Sequence, residues 1–160
     1  MSKKLIILEL TETNTSFITD NAFAAMKDLT DIRIQNNRIS QLKRSMFPVY
    51  NRIQTFFFND NTIENLPDDL FHEMPRLIRV GFENNRISYL TQNLFDGFYI
   101  RFQVLALRGN PIKCDCSLKW IANRNRHIHE KYVSGTCVNP KHLAGKEIFE
   151  LSDTDFTYCQ

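Results

Sequence analysis

The sequence predicts an α/β solenoid: a curved coil of short repeats sharing one parallel sheet, closed at its C-terminal end by a disulfide-stapled helical cap. Three observations predict it. Leu5, Leu29, Ile53 and Leu77 open blocks that recur every 24 residues, and such a period marks stacked repeats rather than a globular enzyme. Each block places its apolar residues alike, as L-x-x-L-x-L-x-x-N-x-I-x-x-L-x-x-x-x-F-x-x-M. All four cysteines, Cys114, Cys116, Cys137 and Cys159, lie beyond the blocks.

The first block, 5–28, departs most, with Thr13 in place of Asn and Thr15 in place of Ile. The second, 29–52, carries Leu29, Ile32, Ile34, Asn37, Ile39, Leu42, Phe47 and Tyr50. The third, 53–76, keeps the ladder from Ile53 to Met74, and the fourth, 77–101, from Leu77 to Phe98. After one inserted residue a partial fifth block, 102–113, runs Phe102, Leu105, Leu107, Asn110, Ile112. Repeats therefore occupy 1–113 and a different segment, the cap, 114–160.

One block alone would leave its apolar set in water, so each must cover its neighbour, and stability becomes a sum of nearest-neighbour interfaces. The L-x-x-L-x-L segment alternates as a strand with one buried face does. Asn37, Asn61, Asn85 and Asn110 are expected to form a buried ladder whose amides satisfy backbone groups where the chain leaves the strand. Phe23, Phe47, Phe71 and Phe95 are expected to fill the convex side of the core.

These blocks resemble extracellular leucine-rich-repeat proteins over nearly the whole chain. The C-x-C-x-x-x-W run from Cys114 to Trp120 is similar to the cysteine-rich cap that closes them. Four cysteines permit three pairings; the resemblance implies Cys114 with Cys137 and Cys116 with Cys159. The repeats with L-R-G-N-P-I-K-C-D-C also look similar to secreted arthropod proteins named after the non-catalytic, leucine-rich subunit of a shrimp luciferase. In the cap, Ser117 to His129 has helical spacing, with Leu118, Trp120, Ile121 and Ile128 facing inward and Ser117 as N-cap.

The competing chemistry for the cap is zinc, because His127, His129 and His142 lie among the cysteines. C-x-C followed by H-x-H lacks the usual C-x₂-C spacing, so disulfides and no metal are expected. Disulfides imply an oxidising compartment. The apolar stretch Leu5 to Leu8 is too short for a secretory leader, so the chain is expected to be part of a longer secreted or surface protein. Asn14-Thr15-Ser16 is one glycosylation sequon. A net charge of +2 gives no argument for nucleic acid, and no apolar run approaches the roughly 18 residues of a membrane span.

Function is expected on the concave sheet, where outward positions align into stripes: Glu9, Arg33, Phe57, Gly81 and Ala106 in one, with Arg79, Glu83 and Arg108 beside it. Phe57 is an aromatic anchor at the centre of a polar sheet, and Arg33 on the adjacent strand can lie against its ring. The predicted ligand is an extracellular protein that contacts Arg33, Phe57, Arg79, Glu83 and Arg108. A basic run in the cap, Lys113, Lys119, Arg124, Arg126 and Lys131, opposed only by Asp115 and Glu130, suits a sulfated glycan or simply a solvated face. No phosphate loop, G-x-S-x-G or H-E-x-x-H occurs, so neither catalysis nor a cofactor is expected. The alternative is a structural or non-catalytic subunit that associates end to end and has no concave ligand.

Overall fold

The computed structural model describes residues 4–124 and 132–160. Strands β1 (Ile7–Thr11), β2 (Asp31–Gln35), β3 (Thr55–Phe57), β4 (Arg79–Gly81) and β5 (Val104–Ala106) pair in parallel and in chain order. The register aligns Ile7, Asp31, Thr55, Arg79 and Val104, so equivalent positions of successive repeats stand side by side. The residue inserted before the fifth repeat leaves this register intact. It is absorbed in the convex return, where a short helix α1 (Gln92–Phe95) runs on through Tyr99 N donating to Phe95 O at 2.7 Å and Phe102 N to Phe98 O at 3.0 Å.

Alternation decides which residues are buried. Ile32, Ile34, Phe56, Phe58, Val80 and Phe82 are fully covered, while among their strand neighbours Asp31, Arg33, Phe57 and Arg79 stay partly exposed and Thr55 and Gly81 are covered on the outer face. Phe23, Phe47, Phe71 and Phe95 lie beneath the convex returns, where both Phe47 (5.0 Å) and Phe71 (5.6 Å) meet the ring of Phe56. Tyr50 does not join them: placed in the apolar ladder by its position, it is 80% exposed, against 1% for its counterparts Met74 and Phe98. Pro48 and Arg44 explain the difference. Proline bars helical continuation after Phe47, and the Arg44 guanidinium takes the carbonyls of Phe47, Pro48, Val49 and His72, holding the loop outward.

The four ladder asparagines are buried and bridge adjacent repeats. Asn85 Nδ2 donates to Phe58 O at 2.9 Å and Phe82 O at 3.0 Å, while its Oδ1 accepts from Ile63 N at 3.0 Å. Asn61 and Asn110 repeat this arrangement. At the first repeat, Asn37 Oδ1 accepts from the N–H groups of Thr13 and Thr15 and from the Thr13 hydroxyl. Thr13 thus ends the ladder without needing an amide of its own. The eighth repeat position, Glu12, Asn36, Asp60, Asn84 and Gly109, has positive φ throughout, from 52° to 79°. There the chain turns off the strand, and Asn, Asp and Gly tolerate that conformation best.

Beyond the repeats come β6 (Ile112–Lys113), α2 (Lys119–Arg124), β7 (Tyr132–Ser134) and β8 (Cys137–Asn139). β6 pairs with β8, and β7 adds a sixth strand to the main sheet next to β5. No repeat signature marks β7 in the sequence; Gln103 O and the β5 edge place it. The helical stretch begins one turn as a 3₁₀ segment, Cys116–Leu118, whose cap is Asp115 and not Ser117: the Asp115 carboxylate accepts from Ser117 N at 2.9 Å. α2 follows to Arg124, and the expected continuation through Ile128 to His129 lies outside the described residues. Trp120 stacks on Phe95 at 5.8 Å and donates from Nε1 to Leu90 O at 3.1 Å, sealing the cap onto the fourth repeat. Disulfides join Cys114 to Cys137 and Cys116 to Cys159.

Lys146 clamps the final segment through both oxygens of Asp155, at 2.8 and 2.9 Å. Burial opposes ionisation of Asp155, but the Lys146 ammonium and Ser152 N–H outweigh it and hold the carboxyl below its ordinary value. Its contribution to stability is therefore complete above the unfolded carboxylate pKa and is lost as pH falls through the lower folded one. Thermal midpoints measured from about pH 6 down to about pH 2 should decline less steeply for Asp155→Asn than for wild type; parallel curves would exclude this role. Among the described residues no helix is long and apolar enough to cross a membrane.

Candidate functional site

The outer face of the sheet is built from the residues that alternation turns away from the core. Its central row, read across six strands, is Glu9, Arg33, Phe57, Gly81, Ala106 and Ser134. Phe57 is half-buried because its ring leans over the next strand: a Cβ on Gly81 would stand 2.8 Å from Phe57 Cδ1 and 2.9 Å from Asn59 Oδ1. On the other side the Arg33 guanidinium carbon lies 5.6 Å from the ring centroid. Arg33 Nη2 meets Asp31 Oδ1 at 3.3 Å, whereas its Nε is buried with no hydrogen-bond acceptor, leaving the ring as a weak substitute. Burial opposes the charge on Asp31, yet hydrogen bonds from Thr30, Arg33 and Thr55 hold its carboxyl below the usual range. Arg33 and Phe57 are thus fixed as one unit, oriented from both flanks.

The remaining predicted residues are arranged differently. Glu83 pairs with neither arginine; its carboxylate reaches across β5 to accept from Ser134 Oγ at 3.2 Å, and its N–H donates to Asn59 Oδ1 at 2.8 Å. Asn59 in turn donates to Gln35 Oε1 at 2.9 Å, giving the face a polar row of its own. Arg79 donates to Gln103 Oε1 at 3.2 Å. Arg108 is exposed and has no ion pair among the described residues. Ser134 carries no signal in the sequence, because β7 has no repeat pattern; Gly81 stands in the predicted stripe, but the space it leaves for the Phe57 ring appears only in the structure.

The basic cap is partly spent on structure. Lys113 Nζ bonds Tyr89 Oη at 3.1 Å over the tyrosine ring, and Arg124 pairs with Asp96 while lying on Trp120 and Tyr99. Lys119 is exposed, and Arg126, Glu130 and Lys131 lie outside the described residues. Of the histidines weighed as zinc ligands, His142 packs edge-on against Tyr158 at 5.1 Å, and His127 and His129 lie outside the described residues. All four cysteines are in disulfides, and no cluster suited to a metal occurs among the described residues. Asn14 is exposed on the loop after β1.

On the convex side, a cleft of about 690 Å³ between the third and fourth repeats is lined by Asp68, His72, Met74, Asp96 and Arg101, among others. Asp68 and Arg101 tie the two returns together, and Asp96 ties the fourth to the cap. Asp68 accepts from Thr91 and Asn93, Asp96 pairs with Arg124, and Arg101 donates to the carbonyls of Met74, Leu77 and Gly97.

No protein-family model matches the chain. Curated relatives match in part. The leucine-rich repeat and immunoglobulin-like domain-containing nogo receptor-interacting protein 1-B of Danio rerio is 33% identical over 61 residues, covering 36% of this chain and 10% of that protein. Its Homo sapiens counterpart, protein 1, is 33% identical over 51 residues, covering 32% and 8%. This chain thus spans about a tenth of the length of the curated relatives it matches.

Among solved structures, a chain from the octameric complex of Latrophilin 3, Unc5D and the leucine-rich repeats of FLRT2 superposes with a TM-score of 0.75 at 28% identity, over 89% of this chain and 43% of that one. The leucine-rich-repeat domain of APL1B gives 0.62 at 22% identity over 69% and 33%. A chain of the Drosophila Toll–Spatzle complex gives 0.61 at 22% over 68% and 14%. At that identity the last two speak to the fold alone. The register of the sheet, the asparagine ladder and these likenesses agree that the chain has the fold of a leucine-rich-repeat solenoid closed by a disulfide-bonded C-terminal cap.

Proposed function

We propose that this chain is a non-catalytic, extracellular recognition module that binds a protein partner across the outer face of its sheet. The observation that carries the reading is the Arg33–Phe57 unit, an aromatic ring held by a guanidinium on one flank and by the space left at Gly81 on the other. Aromatic and arginine side chains whose geometry is set in advance lose little entropy on binding, which is why they dominate interface energetics. Arg79, Glu83 and Arg108 supply the charged surround. Five strand spacings of about 4.8 Å give a face roughly 24 Å long, enough for a small protein interface. The relatives support this reading: one is named for interaction with a receptor, and the solved FLRT2 repeats occur in a complex with two other proteins.

The test begins with a screen of secreted and ectodomain proteins for binding to the intact chain. Against the partner found, Phe57→Ala and Arg33→Ala should each weaken affinity by about 10-fold or more. Gly81→Val, which evicts the ring from its place, should do the same while all three variants keep their circular dichroism spectrum. Unchanged affinity in all three would move the site off this face. Exposed Leu5, Ile6 and Ile7 beside the outer edge of β1 favour a second reading, association of copies through that edge. Light scattering of the free chain decides between them.

A further inference from the structure

We infer that Asn14 carries an N-linked oligosaccharide and that its first sugars cover the exposed ring of Phe17. Three observations meet here. Asn14-Thr15-Ser16 supplies the acceptor sequence, and Asn14 is exposed at φ 57° on the loop that follows β1. Its side chain has no hydrogen bond among the described residues, unlike the ladder asparagines, which are locked in the core. The two disulfides place folding in an oxidising compartment, where the transferring enzymes of secretory cells also work.

Phe17 is the second half of the argument. At 71% exposure it is among the most exposed apolar residues described. The equivalent position of the fourth repeat is Tyr89, whose ring is capped by Lys113 of the next repeat at 4.9 Å. The residue that would cap Phe17 in the same way is Gln41, which has no charge to offer the ring. Three residues of extended chain separate Phe17 from Asn14 by about 10 Å at most, within reach of a sugar whose apolar C–H face packs on an aromatic ring. In the transfer step, Asn14 Nδ2 attacks the anomeric carbon of a lipid-pyrophosphate-linked oligosaccharide. The C–N bond forms, the bond to phosphate breaks, and the amide proton leaves as the lipid pyrophosphate departs with the electron pair.

Two experiments decide it. The chain, translated with microsomes behind a cleavable leader, should gain a single mass increment removed by peptide-N-glycosidase and absent from Asn14→Gln and Ser16→Ala. Because transfer precedes folding, a misfolded variant does not blur that result, and an unmodified translocated chain overturns the assignment. For the secreted protein, enzymatic removal of the sugar should lower the thermal midpoint by about 2 °C or more in wild type and leave Phe17→Ser unchanged. An equal drop in both overturns the contact with Phe17.

Discussion

Asn85→Ala is expected to lose about 3 to 5 kcal/mol of stability, because one side chain satisfies several buried groups that would each cost about 1 to 3 kcal/mol unpaired. The carbonyls of Phe58 and Phe82 lose their donor, and the N–H of the fully buried Ile63 loses its acceptor. Water cannot replace the amide among Phe58, Phe82 and Ile63 without opening the stack. Since these groups belong to two successive repeats, the loss breaks an interface and not merely a turn, and in a stacked array it propagates to both sides. Urea unfolding followed by circular dichroism reads the effect. Asn85→Asp should not rescue it, since a carboxylate donates nothing to the two carbonyls, and the exposed Asn65→Ala should stay near wild type. An Asn85→Ala midpoint close to that of Asn65→Ala would mean that the ladder is not what joins the repeats.

Removing the Cys116–Cys159 bridge by paired serine substitution is expected to cost about 3 to 4 kcal/mol, since the cross-link closes a loop of 43 residues and removes much of the freedom of the unfolded cap. The cap has little core of its own: Leu118, Ile121, Leu143, Ile148 and Phe156 must be held against Trp120 and the last repeat. Releasing Cys159 frees the C-terminal segment that carries Phe156 and Asp155. The last repeat loses cover, and β7, held at the edge of β5, loses the restraint beyond it. Differential scanning calorimetry should show an earlier transition for the variant and for the mildly reduced protein; an unchanged trace would show that packing alone secures the cap.

The repeats were readable because each residue in them answers to a local rule repeated several times. Alternation of Ile32 and Ile34 with Arg33 assigns the strand face whatever the neighbours are, and recurrence at 24 residues assigns the neighbours. Tyr50 shows the limit of such reading. Its position belongs to the core, yet Pro48 and the carbonyl contacts of Arg44, one of them reaching into the next repeat at His72, turn it outward. β7 shows another limit, since a strand of three residues is defined by the edge it pairs with and not by its own pattern.

For the candidate face, the identity of its outward residues was in the sequence, together with the opportunity for Arg33 to meet Phe57. The tilt of the ring into the gap at Gly81 and the reach of Glu83 to Ser134 depend on contacts across strands far apart in the chain. By itself the sequence determined the solenoid, its register and its buried ladder, because burial and backbone satisfaction act at every repeat alike. Only the tertiary structure decided which charged groups are spent on neighbours and which remain available, because that depends on geometry between side chains that no period encodes.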